Sequence, residues 1–314
     1  MAASGAAHDT SDDEPVDVCG VGRFDKRQID GWSPRERREF EARAQAMDAR
    51  KGAAMSQLSA WLAVGTDSQR VAARFVMGDR EGAAMVAARS SDPAAYRLGM
   101  LGCGLATEQT APSCRGLTVD GWMRLDSEDA TPWLRRVGEA MARQDEVAAT
   151  EAVEQVLQRR RRSPSRPLML AVHRAHANVQ DQEGLGMAMV EIVGREAAMP
   201  DAASGVLGRY CRAEAVKDEP RRVVCERVAR WQFEHADSLI DGMVAAGIAE
   251  RVGLPPEQRP YTRKQLGEAM QRLADQAGWE FGPDCNSLRN MALIPAKLVQ
   301  QNELEAALAL IPKP

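Results

Sequence analysis

The sequence predicts an all-α protein, and its composition, its helix-start signals and its helix breakers all point to that class. Aromatic residues make up only 4% of the 314 residues, so the aromatic bias of strands is absent. Ala, Arg, Glu, Leu and Met dominate instead, and these residues favour helix. Pro and Gly recur between apolar stretches, which is typical of turns. We therefore expect an irregular stack of antiparallel helical hairpins, α-solenoid-like and stapled by disulfides.

Local start signals divide the chain into helices. Ser33 is followed by Pro34 and Glu36, which combines a capping hydroxyl, a first-turn proline and the glutamate of a capping box. That first helix is predicted to end near Asp48. We expect further helices, in chain order, at 52–64, 67–77, 79–90, 92–105, 118–125, 130–143, 145–161, 166–179, 182–198, 201–212, 220–252, 262–278 and 302–310, with a shorter turn near 286–293.

The pattern along the chain predicts three regions. They are a flexible acidic arm at 1–30, an N-terminal helical-hairpin array at 31–162 and a C-terminal helical region at 163–314. The arm lacks a helical period, and we expect it to be tethered at Cys19. In the C-terminal region, apolar residues recur at every third or fourth position, which predicts one long helix near 220–252. Pro255 and Pro256 would end that helix.

Six cysteines give the framework that we expect to hold the stack together. They fall into two close pairs and one distant pair: Cys103 with Cys114, Cys211 with Cys225, and Cys19 with Cys285. Each close pair flanks a predicted helix junction, and oxidation would close a loop of about 12 to 15 residues. The sequence alone does not fix the connectivity, and reduced, buried thiols of a cytoplasmic protein remain the alternative. The oxidised form implies a periplasmic or otherwise extracytoplasmic location.

Charge and hydropathy narrow the classes of partner. The net charge of -4 argues against a general attraction to nucleic acid or anionic lipid. No uninterrupted apolar run reaches the about 18 to 20 residues that cross a bilayer. The first residues also lack the apolar core of a signal peptide. We therefore expect either that a leader or anchor has been removed or that the protein stays in the cytoplasm.

One segment carries a family resemblance through the spacing of three residues. Asp129 stands where a capping residue is expected, Trp133 where an aromatic side chain fills the groove between two helices, and Ala149 where the second helix crosses closely. In these features residues 126–160 resemble a degenerate tetratricopeptide-type repeat, which implies a helical hairpin. The chain departs from that family at Ser127, where Pro is usual, and nothing comparable recurs at the family's period.

A second resemblance covers three separate segments of the chain. Three segments, Val18–Arg23, Asp126–Leu134 and the hairpin from Cys211 to Cys225, together resemble uncharacterised proteobacterial helical proteins. Many of those resemble envelope proteins with an N-terminal membrane anchor. The resemblance implies that the folded part begins just before Cys19 and that an anchor preceded it.

Two histidines are the best candidates for chemistry. His173 and His176 would lie on adjacent turns of one helical face, as a metal site could require, and Glu183 could supply a carboxylate. The structural alternative places His176 on an apolar stripe with His173 at its edge, which favours no metal and no cofactor. His235 lies on a similar stripe and is interpreted as a hydrogen-bonded core residue.

The run from Arg159 to Arg162 is the longest run of positive charge in the chain. It could contact phosphate, but no aromatic side chains for base stacking accompany it. A helix end that continues into a solvated linker is the simpler interpretation. We therefore predict a non-enzymatic scaffold or protein-interaction module with an unidentified protein partner. A metal-dependent hydrolase that uses His173, His176 and a nearby carboxylate is the alternative.

Overall fold

The computed structural model describes residues 16–24, 31–104, 112–199, 203–276 and 284–310. Within these ranges the chain is all-α apart from one small antiparallel hairpin, and the predicted fold class is confirmed. Strands β1 (Val16–Val18) and β2 (Gly22–Phe24) form that hairpin. The described helices, in chain order, are α1 Pro34–Ala63, α2 Asp67–Val76, α3 Arg80–Ala88, α4 Pro93–Cys103, α5 Val119–Leu125, α6 Thr131–Ala142, α7 Glu146–Leu157, α8 Pro167–His176, α9 Gln182–Ala198, α10 Ala203–Tyr210, α11 Glu219–His235, α12 Leu239–Val252, α13 Arg263–Gln276, α14 Cys285–Ala292, α15 Ile294–Gln300 and α16 Glu303–Leu308.

Side-chain caps define most helix starts, as the sequence predicts. Ser33 forms a complete capping box with Glu36 at the start of α1. Thr66 and Gln69 form another at α2. Because these caps use residues only three positions apart, they act before any tertiary contact forms. This locality explains why the sequence predicts the helix starts closely.

Two large hydrophobic cores organise the helices. The first core contains buried residues of α1 to α5 together with α8 and α9. The second contains buried residues of α6 and α7 together with α10, α11 and α12. The predicted division between residues 162 and 163 therefore does not follow the packing, because each core takes helices from both sides of it. The chain passes from the second core into the first between α7 and α8.

The predicted long helix at 220–252 is wrong. It is divided into α11 and α12, with Ala236, Asp237 and Ser238 between them. Ser238 accepts a hydrogen bond from the amide of Asp241 at 3.2 Å and so caps a new helix. The apolar pattern continues across the break because α11 and α12 pack against each other and contribute to the same core.

The predicted break between 48 and 52 is also wrong, since α1 runs for 30 residues without interruption. Met47, Ala54, Leu58 and Leu62 are buried along this helix. Tertiary packing of that face overrides the helix-weakening effect of Gly52.

The part of the predicted flexible arm that the structure describes is an ordered hairpin. Its turn uses Gly20 and Gly22, both with positive φ, at 73° and 107°. Arg43 of α1 donates to the carbonyl oxygen of Val21 at 2.8 Å. Cys19 tethers the hairpin, as predicted. The rest of the arm, at 1–15 and 25–30, lies outside the described residues. None of the helices in the described ranges combines the length and the apolar character that a bilayer span requires.

Candidate functional site

All six cysteines form the disulfides that the sequence analysis favoured. The Cα atoms are 4.6 Å apart for Cys19 and Cys285, 5.7 Å for Cys103 and Cys114, and 5.7 Å for Cys211 and Cys225. These distances are normal for the bond. The two close pairs join cysteines 11 and 14 positions apart in the sequence, whereas the third joins the N-terminal hairpin to α14.

The two histidines of the predicted metal site lie on α8 and are half-buried. The Nδ1 atom of His173 lies 2.8 Å from the carbonyl oxygen of Leu170, and that of His176 contacts the carbonyl oxygen of His173. Both rings are thus held by the backbone of their own helix. In the described ranges, neither ring belongs to a set of three potential metal ligands within 4.8 Å of one another. The structure does not bring the predicted hydrolase ligands together.

Glu183, the carboxylate predicted beside those histidines, lies in a different cluster. Arg50 and Arg289 each donate to it at 2.6 Å, and these hydrogen bonds, that from Arg50 first, lower the pKa of Glu183. Potential ligand atoms of Cys19, Cys285 and Glu183 lie within 4.8 Å of one another. The two sulfur atoms are bonded to each other, however, and the two arginines occupy the carboxylate. This cluster is a structural link that joins the N-terminal hairpin to α14 near the C-terminal end of the described chain.

His235 is a hydrogen-bonded structural residue, as its position on an apolar stripe predicts. Its ring stacks on Trp231, with 4.3 Å between the ring centroids. The Nδ1 atom lies 2.8 Å from the carbonyl oxygen of Trp231, and Nε2 lies 3.2 Å from that of Arg160. Both ring nitrogens therefore contact the backbone, and the second of them reaches the arginine run.

That arginine run begins a segment between α7 and α8, residues 159–166, which we call the strap. Protein groups bind its first three carbonyl oxygens. The indole Nε1 of Trp231 donates to Arg159 at 3.2 Å, His235 contacts Arg160, and the amide of Ala130 donates to Arg161 at 2.8 Å. The interpretation of this segment as a solvated linker is therefore wrong.

The side chains of the run are also engaged. Arg159 donates to Gln155 at 2.9 Å and lies over the ring of Trp133. Arg161 binds both carboxylate oxygens of Asp126. Arg162 is the most buried, with 3% of its side chain exposed, and its Nη2 donates to the fully buried Asp241 at 2.8 Å. The run therefore does not present four free cations to a phosphate backbone.

The second half of the strap is fixed by the buried Asp129, the half-buried Asp237 and a buried arginine. Asp129 accepts hydrogen bonds from the amide and the hydroxyl of Ser163. Arg97, which is buried, donates to the carbonyl oxygen of Pro164. The amide of Ser165 donates to Asp237 at 2.8 Å. These groups come from both cores, so the strap joins the two cores through polar contacts.

Asp129 thus plays a different part from the one that the tetratricopeptide resemblance implies. The N-cap of α6 is Ala130, which makes no side-chain cap bond. Asp129 accepts from the amide of Thr131 at 2.9 Å and holds the strap instead. Ala149 is fully buried in the second core, together with other residues of α6 and α7.

Two buried carboxyl groups around the strap have raised pKa values. Burial raises the pKa of Glu196 to about 7, against the opposing effects of Arg166, Arg97 and the amides of Leu168 and Met169. Its Oε1 accepts from the amide of Leu168 at 2.7 Å at the start of α8, while Oε2 has no hydrogen-bond partner among the described residues. Burial also raises the pKa of Asp237. Both groups therefore favour the neutral form more than an exposed carboxyl does.

A pocket of about 320 Å³ lies beside the strap. Ser165, Arg166, Asp237, Glu303 and Glu305 contribute to its lining. Arg166 lies 3.6 Å from Glu303, so the cation and one of the acids compensate each other within the lining. Asp237 and Glu305 then leave the lining with an excess of acidic groups.

A second pocket, of about 460 Å³, combines apolar groups with arginines, which are the charged residues of its lining. Its residues are Met141, Gly208, Arg209, Arg212, Ala213 and Arg251, and we call it the arginine pocket. They come from α6, from the end of α10 with the turn after it, and from the last turn of α12. The Cys211–Cys225 disulfide anchors that turn to α11.

Ion pairing separates many arginines of the described surface from the three arginines of this pocket. Arg251 donates from Nη1 to the carbonyl oxygens of Gly208 and Cys211 at 3.1 and 3.0 Å, which satisfies the end of α10. In the part of the chain that the structure describes, neither Arg209 nor Arg212 has an acidic partner. Arginines elsewhere, such as Arg221 with Glu146 and Arg227 with Glu154, are paired. The arginine pocket is thus a concentration of uncompensated positive charge on a protein of net charge -4.

Sequence reasoning missed the arginine pocket. Arg209 and Arg212 lie one turn apart at a helix end, where basic residues are ordinary, and Arg251 lies 40 residues beyond Cys211. The available signal was the disulfide hairpin, which fixes where this turn lies. No family model, curated protein or solved structure matches the chain.

Proposed function

We propose that this protein is a non-enzymatic scaffold of the bacterial envelope that presents a rigid surface to a protein partner. The observation that carries the proposal is the strap, which joins two hydrophobic cores through a buried ion pair and a series of hydrogen bonds. A frame fixed in this way loses little conformational entropy when a partner binds. A rigid frame of this kind suits a scaffold, because a scaffold holds its partner in a fixed position.

The disulfides support the envelope part of the proposal. All six cysteines are paired in three disulfides, and an oxidising compartment forms and keeps such bonds. The proposal predicts that all six cysteines are disulfide-bonded in cells that produce the protein naturally. Cells are quenched with acid, and the precipitated protein is dissolved in denaturant with a thiol-reactive polyethylene glycol. This labelling should leave the mass of the protein unchanged, whereas reduction in denaturant before labelling should add six equivalents. Labelling of all six cysteines without reduction would place the protein in a reducing compartment.

Site-specific photo-crosslinking in the same cells tests the scaffold part. A benzophenone amino acid is placed singly at four exposed positions in different parts of the fold: Val64, Val147, Ala213 and Ile240. The exposed Gly267 on α13, where a Cβ would meet no neighbouring atom, serves as the reference for random collision. We expect at least one position to give a discrete product of higher mass that Gly267 does not give. The same faint background at all five positions would contradict a scaffold role.

A further inference from the structure

We infer that the arginine pocket binds carboxylate groups of an acidic, partly apolar peptide segment on the partner protein. This inference rests on the proposed function and names the surface and the chemistry of the contact. Its basis is the convergence of Arg209, Arg212 and Arg251 on one pocket of about 460 Å³. A pocket of this size can accommodate several side chains.

The guanidinium groups of the pocket are not used in ion pairs with described acids of the protein itself. Arg209 and Arg212 have no acidic partner among the residues that the structure describes, and both are exposed. Arg251 uses Nη1 for the carbonyl oxygens of Gly208 and Cys211, and this contact holds its guanidinium group in place. A guanidinium presents a planar set of donors that matches a carboxylate in a bidentate arrangement. Three of them around one opening favour a ligand with more than one negative group.

The remaining lining favours an organic anion over an inorganic one. Met141 and Ala213 contribute apolar side-chain atoms beside the cations. Free phosphate would gain nothing from these groups, because it has no apolar surface to bury. A peptide in which acidic and apolar side chains alternate can satisfy both parts of the lining. Methionine also adapts to side chains of different shape, so recognition depends on charge and apolar character rather than on one sequence.

The support behind the pocket is rigid. Cys211 is fully buried and joined to Cys225 on α11, and Val206, Leu207 and Tyr210 of α10 are buried in the second core. The backbone that carries Arg209 and Arg212 therefore does not have to be ordered on binding. Only the arginine side chains lose freedom, which keeps the entropic cost of association low.

Fluorescence anisotropy with the full chain tests the inference directly. The probe is a labelled, capped hexapeptide in which Leu and Glu alternate, and its counterpart carries Gln in place of Glu. We expect the acidic peptide to bind and the Gln peptide to bind at least about tenfold more weakly, because the charge-assisted hydrogen bonds are lost. Raising the salt concentration from about 0.05 to about 0.5 M should weaken the acidic peptide further.

Charge-matched variants locate the site. The double variant R209E/R212E should weaken the acidic peptide by at least about tenfold. The control R38E/R174E changes the net charge equally at two exposed arginines of α1 and α8 and should leave the affinity within about twofold. R212K keeps the charge but loses the planar fork, so it should weaken binding less than the reversal does. Circular dichroism of each variant confirms that it is folded.

Three results would overturn the inference. One is no binding of the acidic peptide at millimolar concentration, and another is equal loss in R38E/R174E and R209E/R212E. The third is competition by inorganic phosphate at the same concentration as the peptide, which would make this a simple anion site. These results leave the proposed function untouched if crosslinks arise at Val64, Val147 or Ile240. Absence of crosslinks at every position, with peptide binding intact, would instead remove the proposed function.

Discussion

The strap and the arginine pocket are both rich in arginine, yet they use it in opposite ways. Four consecutive arginines begin the strap, and three of their side chains bind other groups of the protein. The arginine pocket collects three cations from two separate parts of the chain, and two of them have no acidic partner among the described residues. The comparison teaches that charge density in a sequence does not locate a binding surface. What matters is which charges remain available after folding.

The largest effect is expected from breaking the buried pair of the strap. Arg162→Ala leaves Asp241 buried and uncompensated, and we expect the free energy of unfolding to fall by about 3–5 kcal/mol. Urea unfolding followed by circular dichroism measures the change. Replacing both partners, as Arg162→Met with Asp241→Leu, should recover most of the loss, because neither member of the pair is then left buried without its partner.

The control for this prediction is Arg160→Ala, since the side chain of Arg160 is exposed in the same run. It should change the free energy of unfolding by no more than about 0.5 kcal/mol. A loss below about 1 kcal/mol for Arg162→Ala would mean that the strap is not a structural element. The contrast with the arginine pocket would then have no basis.

The second prediction concerns pH and the end of the strap. The pKa of Glu196 is about 7 in the folded protein, against 4.5 for a free carboxyl group, because the group is buried. A raised folded pKa means that the folded state holds its proton more tightly than the unfolded state does. This stability is fully present below about pH 4.5 and is lost as the pH rises through 7. The total loss is about 3 kcal/mol at most.

Urea unfolding at pH 5, 6, 7 and 8 checks that dependence. Glu196→Gln imitates the neutral carboxyl group and should flatten the slope, so that the variant exceeds the wild type in stability at pH 8. The exposed Glu128→Gln is the matched control and should keep the wild-type slope. Parallel curves for the Glu196→Gln variant and the wild type would contradict a neutral, buried carboxyl group.

Two disulfides of similar loop length provide the third test. Cys211→Ser with Cys225→Ser opens a loop of sequence separation 14, and Cys103→Ser with Cys114→Ser opens one of 11. Each change should lower the free energy of unfolding by about 3 kcal/mol, because the unfolded chain gains freedom. Only the first should also weaken the acidic peptide, since Cys211 lies in the turn that carries the arginine pocket. Equal binding by the two double variants would show that the disulfide does not position the pocket.

The sequence predicts the local features of this fold well. Helix α9 was expected at 182–198 and runs over Gln182–Ala198, because its cap, Asp181, lies within the helix's own first turn. The cysteine pairs could be inferred because each close pair flanks a helix junction. The break between α11 and α12 was missed, since its apolar pattern continues while Ser238 begins a new helix.

The two arginine-rich regions could not be separated from the sequence for a physical reason. Arg162 binds Asp241 across 79 residues, and the positions between them give no local sign of this pair. The arginine pocket could not be predicted either, because Arg251 contacts the end of α10 only after α10 and α12 have packed. Periodicity indicates that a helix has a buried face but does not say which helix covers it. Contacts between distant segments decide whether an arginine side chain binds another group of the protein or remains free to bind a ligand.

The smallest effects are expected in the arginine pocket, and they sharpen the comparison most. Arg209→Ala and Arg212→Ala remove no described ion pair, so each should change the free energy of unfolding by no more than about 0.5 kcal/mol. Arg251→Ala removes two hydrogen bonds to the end of α10 and should lower it by about 1 kcal/mol. Urea unfolding of the three single variants measures this order. A loss above about 2 kcal/mol for Arg209→Ala or Arg212→Ala would mean that these arginines are structural after all. A small loss, with weaker binding of the acidic peptide, would mean that the protein keeps these two side chains for a partner rather than for its own stability.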